Sequence, residues 1–366
     1  MKYYIIAGEA SGDLHGSNLI KELQQLDAGA NVRCWGGDKM QSTGAKLVKH
    51  YKELAFMGFA EVIKNLPAIL KNFKFCKKDI AEFNPDVVIL IDYPGFNLRM
   101  AKWTKENKYK TVYYISPQVW AWKENRVKAI KKYVDKMIVI LPFEKQFYKK
   151  WNFEVDYVGH PLVDVIENYK KNHAGLRANS LTIALLPGSR KQEIQTKLPV
   201  MLEATKNFPD YNFIVAKAPS IEDNFYEVFT RNYKNVNVVS NNTYHVLMMS
   251  TAALVTSGTA TLETALFNVP EIVCYKASRI SYEIARRLIK LEYISLVNLI
   301  MNKEVVKELI QDELTPAKIT VELKKILFDP EKREKIKKQY QELKELLSEG
   351  GNASRNAAKS IYDFIK

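Results

Sequence analysis

Nowhere does this chain run for the roughly 18 uninterrupted apolar residues that a membrane-spanning helix requires, so no spanning helix is expected. Cysteine is scarce: Cys34, Cys76 and Cys274 are far apart, odd in number and without a C-x-x-C pair. That excludes a disulfide scaffold and suits reduced core thiols of a cytoplasmic protein. There is no D-x-D, no H-E-x-x-H and no paired Cys/His spacing, so nothing marks a metal site. KYYIIAGE enters its strand without a charged n-region, an apolar h-region and a cleavage site, which argues against a signal peptide. Acidic residues are in deficit, with 41 Asp plus Glu against 55 Lys plus Arg and a formal charge of +14. Such an excess suits an anionic partner, whether nucleic acid, a phosphorylated substrate or an anionic lipid surface.

What is present is a globular chain, 47% hydrophobic and 26% charged, whose 366 residues exceed the size at which one core usually keeps growing. KYYIIAGE, NVRCWGG, DVVILIDYP, TVYYIS and KMIVILPFE alternate with helical stretches, as in a parallel sheet covered on both faces. After a polar interval at 167–180 that reads as a linker, the pattern restarts with LTIALLPGSR, YNFIVAKA, VNVVS, AALVTSG and EIVCYKA. The fold class expected is α/β, with two facing Rossmann-like doubly wound domains whose strand ends share one cleft. The boundaries expected are 1–168 and 169–340, followed by a C-terminal helix at 341–366. DPEKREKIKKQYQELKELLSEGG reads as a solvated helix ending at a glycine pair.

The opening IIAGEASGDLHG places Gly8, Gly12 and Gly16 between a strand and a helix expected from LHGSNLIKELQQL. The spacing does not fit G-x-G-x-x-G, nor is there a Walker-type loop, so this is a concave floor and no dinucleotide clamp. In the second half, LPGSRKQEI offers Arg190 at a strand end, where its planar fork of donors can reach a diphosphate. TSGTATLETALFNVP repeats the design, with Ser257, Gly258, Thr259, Ala260 and Thr261 at a helix start and Glu263 one turn in, where a carboxylate can hold ribose hydroxyls. Alone, the first loop reads more readily as a surface turn with a solvated arginine and the second equally as a capped helix; two in one half-chain favour a nucleotide diphosphate.

In the first half, IDYPGFN brings Asp92 out of a buried strand, as a general base or as a turn-forming aspartate. Trp120 and Trp122 precede Lys123 and Arg126, which suits either a wall for an acyl chain or sugar beside a phosphate contact, or core packing with solvated charges. In residues 56–78, Val62, Ile63, Leu66, Ile69, Leu70 and Phe73 share a helical face, with lysines off it and Pro67 interrupting. Such a helix lies on an anionic membrane or packs on the sheet. His15 and His160 are each an acid, a base or a structural anchor.

Taken in order, AGEASGD, ELAFMGFAEV, PDVVILIDYPGFN, SPQVWAWKENRVKAI, LPFEKQFY, VGHPLVD, LLPGSR, SGTATLE and YISLVNLI resemble the lipid-A-disaccharide synthase family over nearly the whole chain. The resemblance implies a GT-B glycosyltransferase that works without metal or other cofactor. It would join UDP-2,3-diacylglucosamine to 2,3-diacylglucosamine 1-phosphate, giving a β-1,6-linked disaccharide and UDP, as a peripheral protein at the cytoplasmic face of the Gram-negative inner membrane. It would bind no nucleic acid, and a homodimer stays open. The family's essential aspartate falls on Asp92, its nucleotide-side arginine on Arg190, its helix-start glycine and ribose-binding glutamate on Gly258 and Glu263, and the asparagine of its SLPNL-like stretch on Asn298, although Val297 replaces a proline. Gly95 stands where some members carry a second acidic residue. Gly8, Ser11, Gly12 and Asp13 would floor the acceptor site, and Ile63, Leu66 and Leu70 would meet the membrane. The rivals are a UDP-N-acetylglucosamine 2-epimerase, a polyprenyl-acceptor glycosyltransferase and a basic nucleic-acid-binding protein.

Overall fold

Strands covered by helices on both faces need apolar side chains on both, and VVILI, TIALL and AALVT are buried at every position. The computed structural model describes residues 1–54, 66–175, 181–218, 221–240, 242–278, 282–283 and 291–366. They form two units, Met1–Pro161 with Leu347–Lys366, and Leu162–Leu346. The first holds β1 (Lys2–Ala7), β2 (Asn31–Gly36), β3 (Lys46–His50), β4 (Val87–Ile91), β5 (Lys110–Tyr114), β6 (Lys136–Val139) and β7 (Asp156–Tyr157). Their order is β3-β2-β1-β4-β5-β6-β7, and all pairs are parallel. The second holds β8 (Thr182–Leu186), β9 (Asn212–Lys217), β10 (Val236–Ser240), β11 (Ala252–Thr256), β12 (Glu271–Tyr275) and β13 (Lys307–Ile310), ordered β10-β9-β8-β11-β12-β13.

In each sheet the chain starts in the middle, winds to one edge and returns, so β1 lies beside β4 and β8 beside β11. Ala7 pairs with Ile91, and Leu186 with Val255. The loops that follow these four strands leave the carboxyl edge at the point where strand order reverses, the place where open α/β sheets take ligands. Under the first sheet, Trp35 Nε1 donates to Tyr4 Oη at 2.9 Å and Tyr4 Oη to Asp79 at 2.7 Å, while Arg33 pairs with the same carboxylate at 2.8 Å. The polar atoms of these large side chains are therefore satisfied inside the protein.

Several local expectations are corrected. The first long helix begins at Ala10 and runs to Leu26, so Ser11, Gly12 and Gly16 are helical and only Gly8 belongs to a loop. The polar interval expected from residue 167 is helical to Asn172 within helix Pro161–Asn172, and 176–180 lie outside the described residues. Helix Pro330–Leu347 is not solvated all round, since it buries Ile336, Tyr340, Leu343 and Leu347. The last helix, Ala353–Ile365, belongs to the first unit and packs on helix Ala10–Leu26, starting from an Asn352 cap that accepts from the Arg355 N–H at 2.8 Å.

Of the apolar face at 56–78, Val62 and Ile63 lie outside the described residues, as does the side chain of Leu66. Helix Leu66–Phe83 buries Phe73, Cys76, Ile80 and Phe83, three or four residues apart. Leu70 is off that stripe and 57% exposed, and Phe75 on the same helix is 45% exposed.

Candidate functional site

Asp92 and Tyr93, directly after β4, both hold left-handed backbone with φ of 43° and 50°. Such conformations cost about 1–3 kcal/mol each and persist where neighbours over-determine them. Here Asn97 Nδ2 donates toward the carbonyls of Ile6, Ile91 and Asp92 at 3.3, 3.1 and 2.8 Å. Tyr113 Oη donates to the Asp92 carbonyl at 2.6 Å, and the Asp92 N–H bonds the Tyr114 carbonyl at 3.2 Å. The backbone is thus pinned and the half-buried carboxyl is aimed by it. Burial, then the nearby charge of Glu9, pushes the Asp92 pKa up to about 7 against a hydrogen bond from the Tyr93 backbone. A carboxylate poised near neutrality suits proton abstraction.

Gly8 is where the opening loop meets this base. A Cβ on Gly8 would lie 2.3 Å from Tyr93 Cγ, so the ring is laid against bare backbone. The rest of the opening motif has structural tasks. Asp13 is buried and accepts from the N–H groups of Gly37, Lys39 and Met40 at 2.7, 3.1 and 3.0 Å, capping the short helix Asp38–Gln41. Gly12 faces Ala7, whose Cβ would stand 3.0 Å from an added Cβ. Ser11 is exposed. Of the four, Gly8 is the one laid against Tyr93 of the Asp92 turn.

Burial lowers the pKa of His15 to about 4 and that of His160 to about 3, the latter helped by His15. Both are neutral at pH 7, and His15 Nδ1 is buried without a hydrogen-bond partner. Trp120 takes the packing alternative: it meets Phe143 edge-on at 4.9 Å and donates to Glu144 at 3.2 Å. Glu144 itself is buried, with its pKa raised to about 7 by that burial against hydrogen bonds from Leu141, Ile140, Trp120 and Ser116. Asn97, Tyr113 and Glu144 were not singled out by sequence.

The second unit carries a cavity of about 460 Å³ at the ends of β8, β9 and β11, lined among others by Arg190, Glu193, Lys217, Ser257, Gly258 and Glu263. Arg190 precedes helix Lys191–Thr205, its side chain 59% exposed and 3.6 Å from Glu193, which also accepts from the Ser189 N–H at 3.1 Å. Gly258, with φ at 148°, starts helix Thr259–Leu266 from a conformation that side chains disfavour. Thr259 and Ala260 line the same cavity, and as first-turn residues their N–H groups have no intrahelical acceptor, which leaves them as donors for an anion. Ser257 is partly committed, its hydroxyl donating to the Ile294 carbonyl at 2.8 Å. Glu263 lines the same cavity and accepts from Tyr244 Oη at 3.0 Å, its carboxyl pKa raised by burial.

Sequence reasoning missed Lys217, Tyr244 and Lys197. The first ends β9 beside the cavity, a position that the strand-end rule used for Arg190 also selects. Lys197 is buried in helix Lys191–Thr205, and its ammonium pKa is lowered by burial and by Arg190, opposed by Glu193 and Cys274. Among the described residues no group of three or more His, Cys, Asp or Glu side chains is placed to hold a metal ion.

Asn298 departs from its expected place. It is buried, its Nδ2 donates to Val306 O and Glu308 Oε1 at 2.9 Å each, and its Oδ1 accepts from Val305 and Val306 N–H at 2.8 and 3.0 Å. Every polar atom of the amide is spent on fastening helix Leu296–Met301 to β13. Asn298→Ala is expected to cost about 2–4 kcal/mol of stability, because it strands buried partners. Urea unfolding would show a lower midpoint at constant slope.

A family model described as lipid-A-disaccharide synthetase matches residues 3–362. This chain belongs to the lipid-A-disaccharide synthase family. The lipid-A-disaccharide synthase of Syntrophus aciditrophicus is 40% identical over 368 residues, covering 98% of this chain and 96% of that protein. That of Geobacter metallireducens is 40% identical over 363 residues, covering 96% and 94%. Among solved structures, UDP-GlcNAc 2-epimerase from Neisseria meningitidis bound to UDP-GlcNAc superposes with a TM-score of 0.69 at 13% identity, over 99% of this chain and all of that one. The glycotransferase of kitacinnamycin gives 0.68 at 14%, over 100% and 99%. The family's fold is thus the α/β arrangement of two Rossmann-like domains shared by GT-B glycosyltransferases and these epimerases. No helix among the described residues is long and apolar enough to cross a membrane.

Proposed function

We propose that this chain transfers the 2,3-diacylglucosaminyl unit of UDP-2,3-diacylglucosamine to the 6-hydroxyl of 2,3-diacylglucosamine 1-phosphate with inversion, releasing UDP. Family membership makes it a glycosyltransferase of lipid A disaccharide synthesis that takes a sugar nucleotide and a phosphorylated acceptor. The observation that carries the mechanism is the Asp92 carboxyl, fixed at a strand end and held near neutrality. Asp92 accepts the proton of the acceptor 6-hydroxyl, the oxygen attacks the donor anomeric carbon, and the bond from that carbon to the diphosphate breaks. Arg190 and the N–H groups of Thr259 and Ala260 take up the charge of departing UDP, while Glu263, steadied by Tyr244, holds the ribose. The first unit serves the acceptor and the second the nucleotide.

Purified protein given both substrates in the presence of EDTA should yield the disaccharide 1-phosphate by mass spectrometry. UDP-sugar epimerised with no acceptor present would instead support the epimerase reading, which the 13% identity of that structural relative does not favour. Gly8→Ala is expected to lower kcat about 10–100-fold with UDP affinity unchanged, since its Cβ would displace Tyr93 and with it the base. Unchanged kcat would separate the opening loop from the reaction.

Contact with an anionic membrane is part of the same reading, supported by exposed Leu70 and Phe75 among exposed Lys71, Lys74 and Lys78. Leu70→Ser with Phe75→Ser is expected to reduce co-sedimentation with phosphatidylglycerol vesicles about tenfold or more, each lost apolar contact being worth on the order of 1–2 kcal/mol. Equal sedimentation would place the membrane contact elsewhere.

A further inference from the structure

Two cations in the first unit have no assigned task. The chain leaves β5 at Ile115, beside the strand that Asp92 follows, and turns through Trp122 and Lys123 into the single turn Glu124–Arg126. Lys123 holds left-handed backbone with φ of 59°, and the Arg126 N–H bonds its carbonyl at 2.9 Å. That turn sets both cations on one exposed ring: Lys123 Nζ lies 4.1 Å from the Trp122 centroid and Arg126 Cζ 5.8 Å from it.

The acids that could neutralise them are used elsewhere. Glu124, in the same turn, accepts from Trp151 Nε1 at 3.0 Å, and Glu144 is held by Trp120 and the N–H groups of Ile140 and Leu141. Among the described residues neither cation forms an ion pair with a carboxylate. Arg126 is also close enough to the Tyr113 hydroxyl to act on it electrostatically, and that hydroxyl bonds the Asp92 carbonyl at 2.6 Å. The cation pair and the backbone that aims the Asp92 carboxyl are therefore joined through one tyrosine.

We propose that Lys123 and Arg126, arrayed on Trp122, bind the anomeric phosphate of the acceptor sugar and thereby set its 6-hydroxyl toward Asp92. The inference rests on the function proposed above. In an acceptor with a phosphate on C1 and its nucleophile on C6, C1 and the C5 that bears C6 flank the ring oxygen, so an anion grip and a base on the loops that follow neighbouring strands can hold both along one edge of the pyranose. The guanidinium fork and the ammonium supply complementary donors for phosphate oxygens. The indole face offers apolar surface to the sugar and keeps the cations partly desolvated until the anion arrives.

The test compares 2,3-diacylglucosamine 1-phosphate with unphosphorylated 2,3-diacylglucosamine as acceptors, in neutral detergent micelles free of anionic lipid. For K123A/R126A the KM for the phosphorylated acceptor is expected to rise about ten- to a hundredfold, as for the loss of charge-assisted hydrogen bonds. kcat/KM for the unphosphorylated acceptor and the affinity for UDP should match the wild type, so the preference for phosphate collapses. Arg126→Lys should restore part of it. Lys131→Ala, removing a lysine bonded to the Trp151 carbonyl, should keep it. The proposal is overturned if the double variant retains the preference, if it loses both acceptors equally, or if Lys131→Ala loses the preference too. A wild type that transfers to neither acceptor overturns the proposed function itself, and a wild type indifferent to the phosphate overturns only this inference.

Discussion

Asp92→Asn is expected to lower kcat for transfer by about 10²–10⁴-fold, the usual worth of a general base. UDP affinity should stay unchanged. Asparagine has the same shape and is among the few residues that tolerate left-handed backbone, so the turn at φ 43° should survive the exchange. The bonds from Asn97, Tyr113 and the Tyr114 carbonyl involve the Asp92 backbone only, and the one that the carboxyl accepts from the Tyr93 backbone can be accepted equally by an asparagine Oδ1. What disappears is the proton acceptor. The wild-type pH profile gives a second reading of the same group. Burial and Glu9 raise the carboxyl pKa to about 7, and only the ionised form accepts a proton, so kcat/KM should fall tenfold per unit below that pH and level off above it. An Asn variant with residual activity should lose this limb. A folded variant with wild-type kcat would remove Asp92 from the chemistry.

The central strands were legible because a doubly covered parallel strand must be apolar throughout, and the loops that follow them could be placed from that alone. Two edge strands were not, although VNVVS at the edge strand β10 was. β3 reads KLVKH and β13 reads KELI, and their lysines and glutamate break the apolar signal that an edge position does not require. Helix Ala10–Leu26 starts earlier than its glycines suggest, since Gly12 and Gly16 serve close packing against Ala7 and Met40 and not a turn. Asp13 and Asn298 show a second limit. A short polar side chain near a helix start suits a ligand or a buried cap equally well, and the backbone groups that claim these two lie 24–27 and 7–8 residues away. Asp92 itself was legible as a strand-end carboxylate, while its raised pKa comes first from burial and then from Glu9, on the loop after a different strand.

Arg190→Ala is expected to reduce kcat by about 10²–10³-fold, the range seen when one donor to a developing anion is removed. Little stability should be lost. The guanidinium is 59% exposed and its one ion pair among the described residues, with Glu193 at 3.6 Å, is too long and too solvated to hold the fold. Glu193 keeps its hydrogen bond from the Ser189 N–H, and buried Lys197 remains as its opposite charge. The division of the effect between constants is informative. Charge on the diphosphate grows as the anomeric bond breaks, so a guanidinium acting on that charge lowers kcat when removed, and Lys in its place recovers only part because it lacks the planar fork. A rise in donor KM with kcat intact would make Arg190 a holder of bound nucleotide, leaving the helix start at Thr259 and Ala260 to carry the leaving group.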